Sequence, residues 1–245
     1  MLRAVLFDLG ETLINFGTVD HLAAFHEGAR LVHACLVERG VSVPDFETFH
    51  RRQRRAVERA YLWSRISRRD FNALDVMARI NRKMALPTEP DVLRELAELF
   101  YQPIRERGTP EPGVHELLRW LQHRPVKLGM ISNTFVPGVT LDDHLRREGL
   151  LDFFPCRVYS CDTRYRKPRP RIFRTALAEL DVQPHQAMFV GDTLDIDVKG
   201  ANRVGMVSVL KAPNARCPTG RVQPDYVITA LTELPDLINR HDQRT

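Results

Sequence analysis

The sequence predicts an α/β fold, in which helices cover both faces of a parallel sheet and an all-helical segment is inserted after the first strand. Short apolar runs that end in small or polar residues alternate with stretches whose apolar residues recur at helical spacing. Residues 16 to about 108 contain helical patterns but no strand-like run. The chain has 245 residues, 43% of them hydrophobic, which is enough to bury a substantial core.

Four short runs predict strands of the sheet. Residues 3–8 are mostly apolar, lack a helical period and end in Asp8, two residues before Gly10. The runs 125–131, 187–190 and 206–210 have the same pattern and are followed by S-N-T, G-D-T and K-A-P-N. Because these runs alternate with helices, we expect their strands to pair in parallel.

Apolar stripes predict the helices. They are Val114-Leu117-Leu118-Leu121 and Ile172-Phe173-Ala176-Leu177-Leu180 between the strands, and Leu22-Phe25-His26-Ala29 and Val92-Leu96-Leu99-Phe100 in the inserted segment. The stretch T-P-E-P-G at 109–113 marks the return of the chain to the sheet. We therefore expect residues 1–15 and 109–245 to form an α/β core domain, and residues 16–108 to form a helical domain.

Three polar residues follow predicted strands at the point where each strand ends. Asp8 ends the first run, Ser132 directly follows the second, and Asp192 follows the third after one glycine. In open parallel sheets, ligands bind outside the carboxyl ends of the strands. The sequence therefore predicts a functional site at that edge of the sheet.

Composition limits the classes of function. The cysteines have no C-x-x-C spacing and no histidines at metal-ligand spacing, so we expect reduced thiols at Cys35, Cys156, Cys161 and Cys217. Asp8 interrupts the first apolar run too early for a signal sequence or a membrane span, which predicts a cytoplasmic protein that does not bind membranes. The net charge of +5 is spread along the chain, so we expect a small anionic ligand rather than nucleic acid.

The inserted segment is rich in arginine and also carries large aromatic residues. We expect its arginines to form the solvated faces of helices, and its aromatic residues Tyr61, Trp63 and Phe71 to be core. The arginines in question are Arg51, Arg52, Arg54, Arg55, Arg65, Arg68 and Arg69.

The third site segment crowds acids together. Asp192, Asp195 and Asp197 lie within six residues beside a predicted helix start. Like charges at short range oppose ionisation unless a cation is present, and hard oxygen ligands suit Mg²⁺. Asp195 is also positioned to cap the helix that follows.

Four segments, in order, give the chain a family resemblance. They are F-D-L-G-E-T-L (7–13), I-S-N-T (131–134), K-P-R-P-R-I-F (167–173) and V-G-D-T-L-D-I-D-V-K-G-A (190–201), and P-D-Y-V-I (224–228) matches the end of the core. With them the chain resembles the haloacid dehalogenase-like hydrolases. The resemblance implies a three-layer Rossmann-like core and makes the helical insertion a cap domain.

The resemblance also implies roles for individual residues. It makes Asp8 a nucleophile that becomes an aspartyl phosphate, and it makes Lys167 the group that offsets charge on the nucleophile and the phosphate. Ser132, Asn133 and Thr12 would bind or place that phosphate. The implied Mg²⁺ ligands are Asp8, the backbone carbonyl of Gly10, Asp192 and, at longer range, Asp197. The implied substrate is a small phosphorylated metabolite.

Gly10 departs from the family pattern D-x-D-x-T, in which an acid at this position protonates the leaving group. Three functions remain open on the sequence. The first is a Mg²⁺-dependent phosphatase with weakened or specialised activity, which either acts on esters whose leaving group is acidic enough to depart unprotonated or uses Glu11 or a residue of the cap as the acid. The second is a binding protein without turnover, and the third, which the metal-like acid cluster disfavours, is a 2-haloacid dehalogenase. The sequence does not predict an oligomeric state.

Overall fold

The structure, a computed structural model, describes residues 1–67, 69–213 and 220–244, and a six-stranded sheet forms its centre. The strands are β1 (Ala4–Phe7), β2 (Ile14–Asn15), β3 (Thr109–Pro110), β4 (Lys127–Ser132), β5 (Cys156–Tyr159), β6 (Ala187–Gly191), β7 (Val207–Lys211) and β8 (Tyr226–Ile228). Six of them lie in the order β5-β4-β1-β6-β7-β8, and every neighbouring pair is parallel. The short strands β2 and β3 form a separate antiparallel ribbon.

Helices follow most strands and make up the inserted segment. They are α1 (His21–Glu38), α2 (Phe46–Ser67), α3 (Ala73–Lys83), α4 (Pro90–Arg105), α5 (Val114–Gln122), α6 (Gly138–Arg147), α7 (Ser160–Thr163), α8 (Pro170–Glu179), α9 (Lys199–Val204) and α10 (Leu234–Arg244). Local chemistry sets several of their starts. The Asp20 carboxylate caps α1 by accepting from the N–H groups of Leu22 and Ala23, and Pro90 and Pro170 begin α4 and α8, where a missing N–H costs nothing.

The predicted α/β fold is confirmed, with helices packed on both faces of the sheet. Along β1, Val5 and Phe7 belong to one apolar cluster, whereas Ala4 and Leu6 belong to the other. This alternation follows from the two-residue period of a strand, and because both faces are covered, all four residues are fully buried. The four predicted strands match β1, β4, β6 and β7 to within two residues at each end, but β5 and β8 of the sheet were not predicted as strands.

The segment between β2 and β3 contains α1 to α4 and no strand. Its helices share a third apolar cluster that includes Leu36, Phe49 and Leu96. The division into a core domain and a cap domain stays a prediction. The prediction that Tyr61 and Trp63 are core is wrong, because their exposed fractions are 45% and 68%. Phe71 is half-buried and stacks on Phe135.

Several other expectations concern single residues or surfaces. The arginines predicted to be solvated are exposed wherever the structure describes them, and Arg68 lies outside the described residues. Cys35, Cys156 and Cys161 are free thiols, and Cys217 also lies outside the described residues. Within the described chain, no helix is long and apolar enough to cross a membrane.

Candidate active site

The predicted site residues converge at the carboxyl edge of the sheet. Asp8 follows β1, Ser132 ends β4 and Asp192 follows β6. β1 is paired with β4 on one side and with β6 on the other, so the three strand ends are neighbours. After β1 the chain forms β4 and β5 on one side of it and then crosses to form β6 on the other side, so the strand order reverses at β1. In parallel sheets a ligand crevice opens at such a reversal.

The Asp8 carboxylate is held by its own turn and by a lysine. Its Oδ1 accepts from the Leu9 N–H at 2.7 Å and lies 2.7 Å from the Lys167 Nζ. Burial raises the pKa of Asp8 to about 7, Lys167 opposes that rise, and the nearby carboxylates of Asp197 and Asp192 add to it. Within the described residues Oδ2 makes no hydrogen bond, which leaves one oxygen of the carboxylate free to react.

Lys167 joins two of the acids. Its Nζ lies 2.7 Å from Oδ1 of both Asp8 and Asp197, and its side chain is 1% exposed. Burial works against the charge on this lysine, but the two carboxylates outweigh that effect and raise its pKa. Lys167 is therefore a fixed positive charge beside the Asp8 carboxylate.

Asn133 fixes the backbone of Lys167 with both ends of its amide. The Asn133 Oδ1 accepts from the Lys167 N–H at 2.7 Å, and the Asn133 Nδ2 donates to the Lys167 carbonyl at 3.1 Å. Asn133 thus positions Lys167.

The Ser132 hydroxyl is free of hydrogen bonds within the described residues and lines the cleft in front of Asp8. Thr12 is fully buried and does not line that cleft.

Asp8, Asp192 and Asp197 form a cluster of acids whose candidate ligand oxygens all lie within 4.8 Å of one another. A single π-helical turn, Leu194–Val198, carries Asp197 back towards β6, where its Oδ2 accepts from the Thr193 N–H at 3.0 Å. Gly191 makes this approach possible, because a Cβ there would lie 2.5 Å from the Cβ of Asp197. Burial raises the pKa of Asp192, and the charge on Asp197 adds to the rise.

The donor set of this cluster fits a magnesium ion. Three carboxylates face one ammonium group, so the cluster carries an excess of negative charge that a divalent cation would balance. The carbonyl of Gly10 accepts no hydrogen bond from any described residue and is available as a further oxygen ligand. Because Asp197 is buried and already paired with Lys167, it is the member least free to bind a metal directly.

Asp195 does not cap the following helix, which corrects the prediction. The turn that contains it has no side-chain cap, and its carboxylate instead lies 3.1 Å from the Lys199 Nζ on the exposed surface. The separation of Asp195 and Asp197 explains the difference. A two-residue step on a helical turn directs the two side chains to different sides, so only Asp197 faces the cluster.

Glu11 occupies a turn that the chain adopts at some conformational cost. Its φ of 54° lies in the left-handed region that is uncommon for residues other than glycine. The turn brings Glu11 to the cleft, where its carboxylate accepts from the Phe16 N–H at 2.9 Å. Glu11 thus lines the cleft, but its carboxylate is already hydrogen-bonded to a backbone N–H.

A buried ion pair that the sequence did not reveal supports the same turn. The Lys211 Nζ donates to the Glu11 carbonyl at 2.7 Å and lies 2.8 Å from the Glu111 Oε2. Lys211 ends β7, one strand beyond β6, and Glu111 directly follows β3. The position of Lys211 at the end of an apolar run was the one available signal, and its partner could be known only from the folded chain.

A cleft of about 570 Å³ opens in front of Asp8, between the sheet edge and the helical insertion. Phe16, Tyr101 and Ile104 supply an apolar wall from the insertion and its start. Ser132, Asn133 and Arg166 are among the other residues that line the cleft. The insertion residues of this wall were not predicted, because helical spacing alone does not say which face meets the core.

Comparisons with known proteins agree with this arrangement. The chain is 29% identical over 248 residues to a protein named glyceraldehyde 3-phosphate phosphatase from Methanopyrus kandleri, covering 97% of each chain. A solved HAD phosphatase from Thermococcus onnurineus is 26% identical, with a TM-score of 0.61 over 97% of this chain and 98% of that one. A 2-haloacid dehalogenase from Pseudomonas syringae pv. Tomato DC3000 has a TM-score of 0.71 and covers 98% of this chain and 99% of that one; at 23% identity it shows the fold alone.

A family model described as haloacid dehalogenase-like hydrolase matches residues 2–205, a range that contains every residue of the acid cluster. The match extends from β1 through the inserted helices to α9, and thus over most of the chain. The chain therefore belongs to the haloacid dehalogenase-like hydrolases.

Proposed function

We propose that this hydrolase is a Mg²⁺-dependent phosphatase that transfers a phosphoryl group to Asp8 from a small phosphorylated metabolite. The observation that carries the proposal is the position of Lys167, which lies 2.7 Å from Asp8 and Asp197 in a cluster with excess negative charge. A divalent cation and a phosphate would together balance that cluster. The phosphatase names of relatives such as the Methanopyrus kandleri protein support the same reaction class.

The reaction would begin at the free oxygen of Asp8. Oδ1 is held by the Leu9 N–H and Lys167, so Oδ2 attacks phosphorus and the bond from phosphorus to the ester oxygen breaks. Ser132 donates a hydrogen bond to the transferring phosphate, and Lys167 offsets its charge. Water then attacks the aspartyl phosphate, which releases inorganic phosphate and restores the Asp8 carboxylate. When bound, Mg²⁺ supplies charge neutralisation, and Asp8, Asp192 and the Gly10 carbonyl would hold it.

The leaving group sets the limit on activity, because Gly10 has no proton to donate. A general acid is typically worth ~10²–10⁴-fold in rate, so substrates whose leaving groups depart unprotonated are favoured. Glu11 is a candidate acid in the cleft, although it would have to give up its hydrogen bond to the Phe16 N–H. Residues 16–108 act in this proposal as a cap that supplies the apolar wall of the cleft and selects the substrate.

The test is a panel of phosphate esters, with and without magnesium, run on the wild type and on Gly10→Asp. We expect magnesium-dependent phosphate release from an activated aryl or acyl phosphate, and turnover at least tenfold higher in Gly10→Asp. The substitution is sterically acceptable, because a Cβ at Gly10 would lie 3.8 Å from the Phe16 ring. Asp8→Asn is the matched control and should be inactive in both backgrounds.

A binding protein without turnover is the second candidate, and the engagement of the Glu11 carboxylate by the Phe16 N–H favours it. It predicts that neither the wild type nor Gly10→Asp releases phosphate, although phosphorylated ligands bind. A covalent phosphate adduct on Asp8, detected by mass spectrometry after incubation with substrate, would exclude this candidate. A dehalogenase would instead release halide from a haloacid without magnesium.

A further inference from the structure

Arg166 and Lys167 both line the cleft, and within the described residues only Lys167 has a side-chain partner. Lys167 is paired with Asp8 and Asp197. Arg166 also lines the cleft, and within the part of the chain that the structure describes its side chain has neither an ion pair nor a hydrogen bond. By contrast, nearby Arg164 pairs with Asp75 at 2.7 Å, so arginines of this segment do find partners when carboxylates are in reach.

The backbone that carries Arg166 is fixed. Asn133 binds both polar groups of the next residue, Lys167, and the Arg166 carbonyl accepts from the Arg169 N–H at 3.0 Å. A side chain on such a backbone loses less freedom when a ligand binds than one on a mobile loop would. Arg166 is therefore placed to bind a group that enters the cleft.

Among the described residues that line the cleft, only Asp8 and Glu11 carry carboxylates, and neither is paired with Arg166. The Glu11 carboxylate is engaged by the Phe16 N–H, and Asp8 is paired with Lys167. Phe16 and Ile104, which also line the cleft, are apolar. An arginine fork binds carboxylate and phosphate oxygens in pairs, so the missing partner is an oxyanion supplied by the ligand.

We propose that Arg166 binds a second acidic group of the substrate, so that the substrate class is phosphorylated metabolites that carry a further carboxylate or phosphate. The inference rests on the proposed phosphatase function, because that function places the reacting phosphate at Asp8. Arg166 acts as a specificity residue at the neighbouring end of the cleft. A substrate without the second group still reaches Asp8, but it binds more weakly.

The test measures equilibrium binding of phosphonates, which cannot be hydrolysed, in the presence of magnesium. Alkylphosphonates, carboxyalkylphosphonates and alkylene bisphosphonates of a short series of chain lengths are titrated by calorimetry into the wild type, Arg166→Met and Arg169→Met. We expect the wild type to bind a carboxylate or bisphosphonate ligand about tenfold more tightly than the matching alkylphosphonate. A factor of this size corresponds to one hydrogen bond between charged groups. The better of the two ligand types identifies the second group.

The variants decide whether Arg166 is responsible. We expect Arg166→Met to bind the doubly acidic ligand and the matching alkylphosphonate with about equal affinity. Arg166→Lys should keep part of the preference, because lysine retains the charge but not the forked guanidinium. Arg169→Met is the matched control, since Arg169 lies three residues away and does not line the cleft. A wild type without preference, a preference that survives in Arg166→Met, or equal weakening of all ligands in that variant would each overturn the inference. Turnover is assayed separately, so failure of the phosphatase proposal is distinguishable.

Discussion

Loss of the buried Lys211 ammonium should destabilise the protein strongly. Lys211 and Glu111 have side chains that are 3% and 10% exposed, and their Nζ and Oε2 atoms are 2.8 Å apart. Lys211→Met leaves the Glu111 carboxylate buried without its cation and removes the donor to the Glu11 carbonyl. Removing one partner of a buried pair costs about 3–5 kcal/mol in free energy of unfolding, a large part of the ~5–15 kcal/mol of a typical domain.

Urea unfolding of a double-mutant cycle measures this effect. The cycle comprises the wild type, Lys211→Met, Glu111→Leu and the double variant, and the double variant should recover part of the stability because no charge is left buried. The control is Asp195→Ala, which breaks the exposed pair with Lys199 and should cost no more than about 1 kcal/mol. If the free energy of unfolding of Lys211→Met lies within about 1 kcal/mol of that of the wild type, the ion pair does not stabilise the turn at Glu11.

Two further predictions concern the acid cluster and a buried histidine. Gly191→Ala places a Cβ 2.5 Å from the Cβ of Asp197, so Asp197 must move, and Mg²⁺ affinity by calorimetry should fall by about 10–100-fold. Gly220→Ala, where a Cβ meets nothing within 4 Å, is the control and should bind Mg²⁺ as the wild type does. Burial lowers the pKa of His144 from 6.5 to about 4, and the charges of Arg105 and Arg147 add to that. The unfolded chain therefore binds the extra proton first, and stability should fall as the pH drops from about 6.5 towards 4, by about 2 kcal/mol at pH 5. Urea unfolding measured between pH 4 and pH 7 tests this, because the loss of stability at low pH should be absent in His144→Gln. If His144→Gln loses as much stability at low pH as the wild type does, His144 is not the group responsible.

The strands that carry the site could be predicted because their residues are apolar on both faces. β1 and β6 are continuous apolar runs and β4 is apolar between Lys127 and Ser132, so the polar residues at their ends had to meet at one edge of the sheet. Strands β5 and β8 were missed because they lack such a run. β5 contains Arg157 among its four residues and β8 has only three residues, so the sequence does not separate either of them from a loop.

The residues that complete the cleft could not be predicted, because their roles depend on contacts between distant parts of the chain. Glu111 and Lys211 are 100 positions apart in the sequence, and each alone resembles a surface charge. Tyr101 and Ile104 line the cleft because α4 packs with that face towards it, which the apolar stripe does not specify. Tyr61 and Trp63 were predicted to be core but are exposed, because the aromatic character of a helical residue does not determine whether its side chain is buried.

The two glycines of the site have opposite physical reasons for being glycine. At position 191 the fold requires it, because any Cβ would overlap Asp197. At position 10 it does not, because the backbone lies outside the left-handed region and a Cβ would make only ordinary contact with Phe16. Since neither strain nor space imposes Gly10, the chain could carry an acid there without refolding. Under the proposed function, the Gly10→Asp comparison therefore measures proton donation rather than stability.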